Sequence, residues 1–301
     1  MSTWLLAGAS GFLGKALRVR LAADGHQVVR LVRREPATAS ERRWEPAAGR
    51  LDPSVLDGVD VVVNLAGAAV FPRPWTTERR KLLLGSRLQA TGTLARTLAA
   101  RATDGHPRVL LQTSGIARYG TRPRTQPATE DTPAADDFLA QVTARWEEAA
   151  QPAVDAGVRT VFLRTSPVLD RSGGAFWPMR LAWSTGLGAV LGSGRQRMPM
   201  ISLDDYLGVT FWAASTGFAQ GPYNLTLAEP TTNAAFTDAL ARALHRPRVL
   251  RVPAVALRTA LGELAEQLVG DCWAVPQRLT EDGYAFADPD VHAAVASALR
   301  T

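Results

Sequence analysis

Residues 1–14 read MSTWLLAGASGFLG, and the way this stretch folds decides the rest of the chain. Trp4–Ala7 is an apolar run of strand length, and Phe12–Ala23 has the length and composition of a helix. Between them stand Gly8, Gly11 and Gly14 in a GxxGxxG spacing. Gly8 lets the chain turn sharply, Gly11 lets bare backbone approach a diphosphate, and Gly14 lets the helix pack close to the strand. A helix opening there presents unpaired N–H groups and a partial positive charge to phosphates. Strand, glycine loop and helix in this order form the opening of a dinucleotide-binding unit. Ser10, Phe12 and Leu13 are expected beside the ligand together with the three glycines.

The next segments select the ligand and the fold. A second strand, Gln27–Val32, runs into Arg33-Arg34. NAD-binding chains usually place an acid there to hold the ribose hydroxyls. An acid would repel a 2′-phosphate, whereas guanidinium groups grip one. The cofactor expected is therefore NADP(H), with Arg33 and Arg34 as its selectors. Val59–Leu65 (VDVVVNL) is a continuous apolar run, as in a strand covered on both faces. Its end, Leu65-Ala66-Gly67, is expected to line the ligand crevice. A helix over Arg79–Arg101, a strand at Arg108–Thr113, a helix over Asp137–Ala156 and a strand at Arg159–Arg164 follow. This alternation predicts an α/β fold, a Rossmann-type doubly wound parallel sheet. Beyond Arg164 glycine and proline thicken through Ser166–Pro199. Helical stretches then follow at Leu203–Thr216, Asn233–Leu244 and Val255–Val269, with a short strand near Tyr223–Leu225. The expected division is a cofactor domain over 1–165 and a smaller C-terminal substrate-side α/β portion over 166–301. The second is partly interleaved with the first and includes a helical tail over 248–301.

Composition narrows the function. All but Lys15 and Lys81 of the 34 basic residues are arginine, scattered along 301 residues with a net charge of +6. No nucleic-acid motif accompanies them, so no nucleic-acid partner is expected. No apolar run reaches the ~18 residues of a membrane span, and no membrane association is expected. The start lacks a basic leader, and Cys272 is the single cysteine, which excludes an internal disulfide and points to the cytoplasm. The expected partner is a small-molecule substrate, and the expected assembly a monomer or homodimer. The four histidines stand far apart, and Asp204-Asp205 suits a helix start capped by Ser202 better than a metal site, so no metal is expected. Glu130-Asp131 and Asp136-Asp137 read as the flanks of a solvated loop. Gly192-Ser193-Gly194-Arg195-Gln196 lacks the lysine of a P-loop. It reads as a loop closing over the substrate, with Arg195 available to an anionic group.

GASGFLG at 8–14, the NLAG strand end at 64–67, and a strand ending in Thr113-Ser114 before Tyr119-Gly120 resemble the extended short-chain dehydrogenase/reductase superfamily. Trp75, Ser86-Arg87, ARWEEA (144–149), LRTSPVL (163–169), GLGAVLGSGRQ (186–196), ISLDD (201–205), PYNLT (222–226), HRPRVLRVPAVALR (245–258) and VPQRLTEDGYAF (275–286) narrow the likeness. They resemble the atypical branch called epimerase-family proteins, which carries a C-terminal domain of unknown function, and the resemblance covers essentially the whole chain. It implies an NADP-dependent oxidoreductase fold and assigns Gly8, Gly11, Gly14, Arg33 and Leu65–Gly67 to the cofactor. It implies Ser114 as the active-site serine and places Thr165–Val168 near the nicotinamide, with Thr113 and Arg164 beside it. Two departures stand out: Ser202 replaces a histidine, and Arg118-Tyr119 replaces a doubled tyrosine.

The superfamily's proton relay, YxxxK, is absent. Four residues beyond Tyr119, Tyr206, Tyr223 and Tyr284 stand Pro123, Thr210, Leu227 and Asp288. Counted from Ser114, the usual tyrosine and lysine fall near Phe138 and Val142. A free tyrosine titrates near 10 and needs a positive neighbour to act as a base. Tyr119 with Arg145 or Arg164 is one arrangement that supplies it, with Ser114 orienting the substrate. The expected function is an NADP(H)-dependent oxidoreductase acting on a small molecule. A catalytically silent NADP(H)-binding sensor and a nucleotide-sugar-type epimerase or dehydratase stay open as alternatives.

Overall fold

The computed structural model describes residues 1–71, 75–174, 176–184, 188–247 and 250–300. Gly186, Leu187, Arg248 and Val249 of the motifs quoted above lie outside them. The strands are β1 (Thr3–Ala7), β2 (Gln27–Val32), β3 (Glu41–Arg43), β4 (Val61–Asn64), β5 (Val109–Gly115), β6 (Arg159–Thr165), β7 (Val168–Leu169), β8 (Ala189–Leu191), β9 (Ile201–Ser202), β10 (Gly221–Leu225) and β11 (Leu250–Val252). The α-helices are α1 (Phe12–Ala23), α2 (Thr77–Ala100), α3 (Phe138–Glu148), α4 (Gln151–Asp155), α5 (Phe176–Ser184), α6 (Leu203–Ser215), α7 (Asn233–Ala243), α8 (Ala254–Leu261), α9 (Glu266–Val269), α10 (Gln277–Glu281) and α11 (Val291–Arg300).

Seven strands form one sheet in the order β10-β6-β5-β4-β1-β2-β3, with every pairing parallel. Strand order reverses between β1 and β4, and the carboxyl ends of those two strands frame the crevice where such sheets bind ligands. Alternation along each strand feeds two cores. Trp4 and Leu6 join Leu17, Leu21, Tyr206 and Val209 on the face covered by α1 and α6. Leu5 and Ala7 join Leu94, Leu98 and Ala153 on the face covered by α2 and α4. A third cluster, around Phe176, Phe236, Leu240 and Val295, forms the core of the C-terminal portion with α5, α7 and α11. That portion interleaves with the sheet: the chain leaves after β6, forms the β7–β9 pair, and returns through α6 and β10.

Two expectations change, and one strand is new. The helix expected over Asp137–Ala156 is two helices, α3 ending at Glu148 and α4 starting at Gln151. Pro152 lies at the start of α4, where its missing N–H costs nothing, but within a continuous helix it would break the ladder. The stretch Val255–Val269 divides at Gly262, which sits at φ +57°. β3, with sequence Glu-Arg-Arg, has no apolar pattern to betray it as a strand.

Candidate active site

The glycine loop forms a cradle that packs too closely against neighbouring backbone for side chains at Gly8 or Gly14. Gly8 sits at φ +83°, and a Cβ there would lie 2.7 Å from the carbonyl carbon of Leu65. A Cβ on Gly14 would overlap the carbonyl oxygen of Gly8. Gly11 is the N-cap of α1, which has no side-chain cap, so the first-turn amides of that helix stay available to a ligand. Gly173 and Gly174 pack against the ring of Phe12, bringing the segment after β7 over the same cradle. Ser10 and Gly11 are exposed. Leu65, Ala66 and Gly67 follow β4 directly, with the Ala66 amide held by Asn64 Oδ1 at 3.1 Å.

At the end of β2 the two arginines separate. Arg34 donates two hydrogen bonds to Glu41, at 2.7 and 2.9 Å. Glu41 also accepts from the Ala37 amide and pairs with Arg30 at 3.2 Å. These donors, Arg34 first, hold the Glu41 carboxyl down at about 2. Glu41 is thereby neutralised and buried, while Glu35, next along the chain, is exposed and pairs with Arg43. Arg33 is exposed and forms no ion pair among the described residues, so the guanidinium free at this strand end is that of Arg33.

Beyond the β5 end lies a buried polar network that spacing did not reveal. The Ser114 hydroxyl donates to Glu147 Oε1 at 2.7 Å. Arg164 donates to both oxygens of Glu147, at 2.8 and 3.0 Å. The other arm of Arg164 reaches Tyr119 Oη at 2.8 Å and the Glu130 carbonyl at 2.7 Å. Tyr119 in turn donates to Asn224 Oδ1 at 2.7 Å. The expected Tyr119–Arg164 pairing is present, but Tyr119 is only 1% exposed and burial pushes its phenol up to about 12. Its proton and its lone pairs both face protein, so its place is inside the network rather than at a reacting surface. Arg145 is exposed and takes no part. Glu130 corrects the solvated-loop expectation: it is buried, accepts from the Asn224 amide at 2.9 Å, and burial raises its pKa. ARWEEA was the available signal for Glu147, yet nothing in the sequence marked it as the partner of Ser114 and Arg164.

The remaining expected residues fall around this centre. Thr113 precedes Ser114 on β5. Thr165 ends β6 with its hydroxyl on the Leu163 carbonyl. Val168 is buried in β7 beside Ile201. Phe138, at the position of the missing tyrosine, faces Trp75 at 5.5 Å between ring centres and carries the Arg80 guanidinium 4.5 Å above its ring. Val142 is buried. Arg195 lies apart from the network, exposed on the turn after β8, in the wall of a 790 Å³ cleft with Trp75, Arg80, Phe138 and Arg122. The acids opposite are taken: Glu263 by Arg80, Glu266 by Arg258 and Asp271 by Arg197. Asp205 is spent on structure, accepting from the Ala287 and Asp288 amides and the Tyr284 hydroxyl, while Ser202 caps α6. Among the described residues no helix is long and apolar enough to cross a membrane.

Residues 4–226 match the NAD dependent epimerase/dehydratase family, and residues 252–298 match a domain of unknown function (DUF1731). The chain belongs to the NAD dependent epimerase/dehydratase family. Within it, this epimerase-family chain is 41% identical to epimerase family protein Mb2239 of Mycobacterium bovis, over 93% of this chain and 92% of that one. It is 33% identical to human epimerase family protein SDR39U1, over 97% of each. The crystal structure of human SDR39U1 (isoform2) with NADPH superposes at a TM-score of 0.89, with 31% identity and 99% of both chains covered. A nucleoside-diphosphate sugar epimerase from Corynebacterium glutamicum superposes at 0.81, with 29% identity, over 99% of this chain and 58% of that one. The Rossmann-type parallel sheet and the family expected from the sequence are those found.

Proposed function

We propose that this chain is an NADP(H)-dependent oxidoreductase of the atypical short-chain dehydrogenase/reductase type. The observation that carries the reading is the end of β2, where Arg33 stands free and the nearby acid, Glu41, is locked under Arg34 and Arg30. That electrostatic setting favours an adenosine 2′-phosphate over bare ribose hydroxyls. The loop suits a diphosphate because Gly11 opens α1 with no side chain over its first-turn amides, while Gly8 and Gly14 allow the close backbone packing against Leu65 and Ala9 that shapes it. The human relative's structure with NADPH supports the same choice.

Bound in this cradle, the nicotinamide would supply hydride transfer. The chain's residues would do the rest. Gly8–Gly14 present amides to the diphosphate, Arg33 selects the 2′-phosphate, and Leu65–Gly67 run past the dinucleotide. The substrate would enter the cleft beside Phe138, with Arg195 holding an anionic group. Ser114 spends its proton on Glu147 and so offers lone pairs, which suits a substrate hydroxyl or amine better than a carbonyl.

A second reading is favoured by one specific observation: the relay positions hold Phe138 and Val142, and the Tyr119 phenol is enclosed. A silent NADP(H)-binding sensor needs no proton carrier, whereas sugar epimerisation needs one most. Titration of the purified chain with NADPH and NADH tests the cofactor assignment. Arg33→Glu is expected to weaken NADPH binding at least tenfold while changing NADH binding less than threefold, and equal losses reject the assignment. Gain of NADPH absorbance from NADP+ with an alcohol and amine panel, or its loss with a carbonyl and imine panel, then separates enzyme from sensor.

A further inference from the structure

Ser86-Arg87, a mark of the family resemblance, has no part in the cradle or the network described above. Arg87 lies on α2 and is only 9% exposed. Its Nη1 donates to the Ala68 and Leu83 carbonyls, both at 3.0 Å. Its guanidinium carbon sits 4.7 Å over the Trp146 ring. Gly67 lies directly over it: a Cβ there would stand 3.4 Å from Arg87 Cγ and Cζ. One helical stretch earlier, Arg79 donates to the neighbouring Ala69 carbonyl, and its Nε is a buried donor with no partner. No carboxylate pairs with either arginine among the described residues. Burial first, and the Arg79 charge second, bring the Arg87 pKa down to about 10, which leaves it cationic at neutral pH.

Two positive charges thus meet against Gly67-Ala68-Ala69, on the crevice side of β4, with carbonyls and a ring as partners. A buried guanidinium without a counter-charge is costly to keep, and carbonyls balance only part of a full charge. Arg164, the other arginine as deeply buried among the described residues, is balanced by Glu147. Arg159 is also held by carbonyls without an acid, but by four of them, Ala213, Ala214, Thr216 and Ala219, whereas the Arg79–Arg87 pair sits where a bound molecule would pass.

We infer that Arg79 and Arg87 form a receptor for an oxyanion, a carboxylate or phosphate group, on the molecule bound against Gly67–Ala69. The inference deepens the proposed function, because it rests on a ligand occupying the β1–β4 crevice. The oxyanion belongs either to the substrate or to the dinucleotide, and both present the same chemistry to the two guanidinium groups.

Calorimetric titration with inorganic phosphate, and separately with NADPH, tests it on the wild-type chain, Arg87→Gln and Arg79→Gln. The phosphate titration is run with and without saturating NADPH. Saturable phosphate binding to the NADPH-loaded chain, weakened at least tenfold in both variants, supports the receptor and assigns the oxyanion to the substrate. Phosphate displaced by NADPH, with NADPH affinity down at least tenfold in both variants, supports it and assigns the oxyanion to the dinucleotide. Phosphate and NADPH affinities within twofold of wild type in the variants overturn it, as does the absence of phosphate binding together with unchanged NADPH affinity. If Arg87→Gln fails to fold, Arg79→Gln alone decides, because its side chain is less buried. Should NADPH fail to bind the wild-type chain while phosphate binding still depends on Arg87, the dinucleotide reading falls and the receptor stands.

Discussion

Replacing Glu147 by glutamine keeps the shape of the side chain and removes its charge. In the folded chain the carboxylate receives three hydrogen bonds, two from Arg164 and one from Ser114. The side chains of Arg164 and Glu147 are 5% and 11% exposed, so water cannot substitute for the lost partner. Arg164 keeps Tyr119 Oη and the Glu130 carbonyl, but its charge loses the acid it pairs with. Breaking a buried pair from one side costs roughly 3–5 kcal/mol, and glutamine's remaining acceptor places the expected loss near the lower end, about 3 kcal/mol. At roughly 2–4 °C per kcal/mol for a chain of this order of size, the melting temperature should fall by ~6–12 °C. Urea denaturation of wild type and Glu147→Gln measures the loss directly. The double variant Glu147→Met, Arg164→Met should recover much of it, because removing both charges also removes their desolvation penalty. A loss below about 1 kcal/mol for Glu147→Gln with no recovery in the double variant would refute the reasoning, since it would mean that Arg164 is solvated in solution.

Other outcomes follow from the same geometry. Gly14→Ala should destabilise the chain by roughly 1–3 kcal/mol through overpacking and weaken NADPH binding more than tenfold; unchanged titration curves would show that the cradle has room. Tyr119→Phe should cost about 1–3 kcal/mol by leaving Asn224 and Arg164 each one partner short, while NADPH affinity stays within twofold of wild type. For Glu41 the folded value near 2 lies below the ordinary value of 4.5. Its contribution to stability is therefore complete above about pH 4.5 and disappears as the pH falls towards 2. The difference in urea midpoint between wild type and Glu41→Gln should shrink from pH 7 to pH 3, and a constant difference would exclude the pairing with Arg34 as its source.

The parts of this molecule legible in its sequence are those governed by local rules. The bounds of α1 and β2 follow from glycine spacing and apolar runs, because turn, helix start and strand are each specified within a few residues. The place of Arg33 at the end of β2 is legible because it follows an apolar run of strand length. The network was not, since Glu147 on α3 meets Ser114 on β5 and Arg164 on β6 only after the sheet aligns Ser114 with Arg164. The same holds for the β8–β11 pairing, which joins two three-residue strands far apart in the chain, and for Glu41, whose acid sits on a strand with no apolar alternation. Long-range registration carries no short-range signature, so side chains that act together across elements stay hidden when read one segment at a time.

The return of the chain through β10 has a consequence for biogenesis. β6 gains its outer neighbour only when residues 221–225 arrive, well after the first six strands have left the ribosome. Until then the backbone amides and carbonyls along that rim are open to any extended peptide nearby. A fragment ending at Thr165 would keep them open permanently, and should self-associate through that edge rather than behave as an isolated domain.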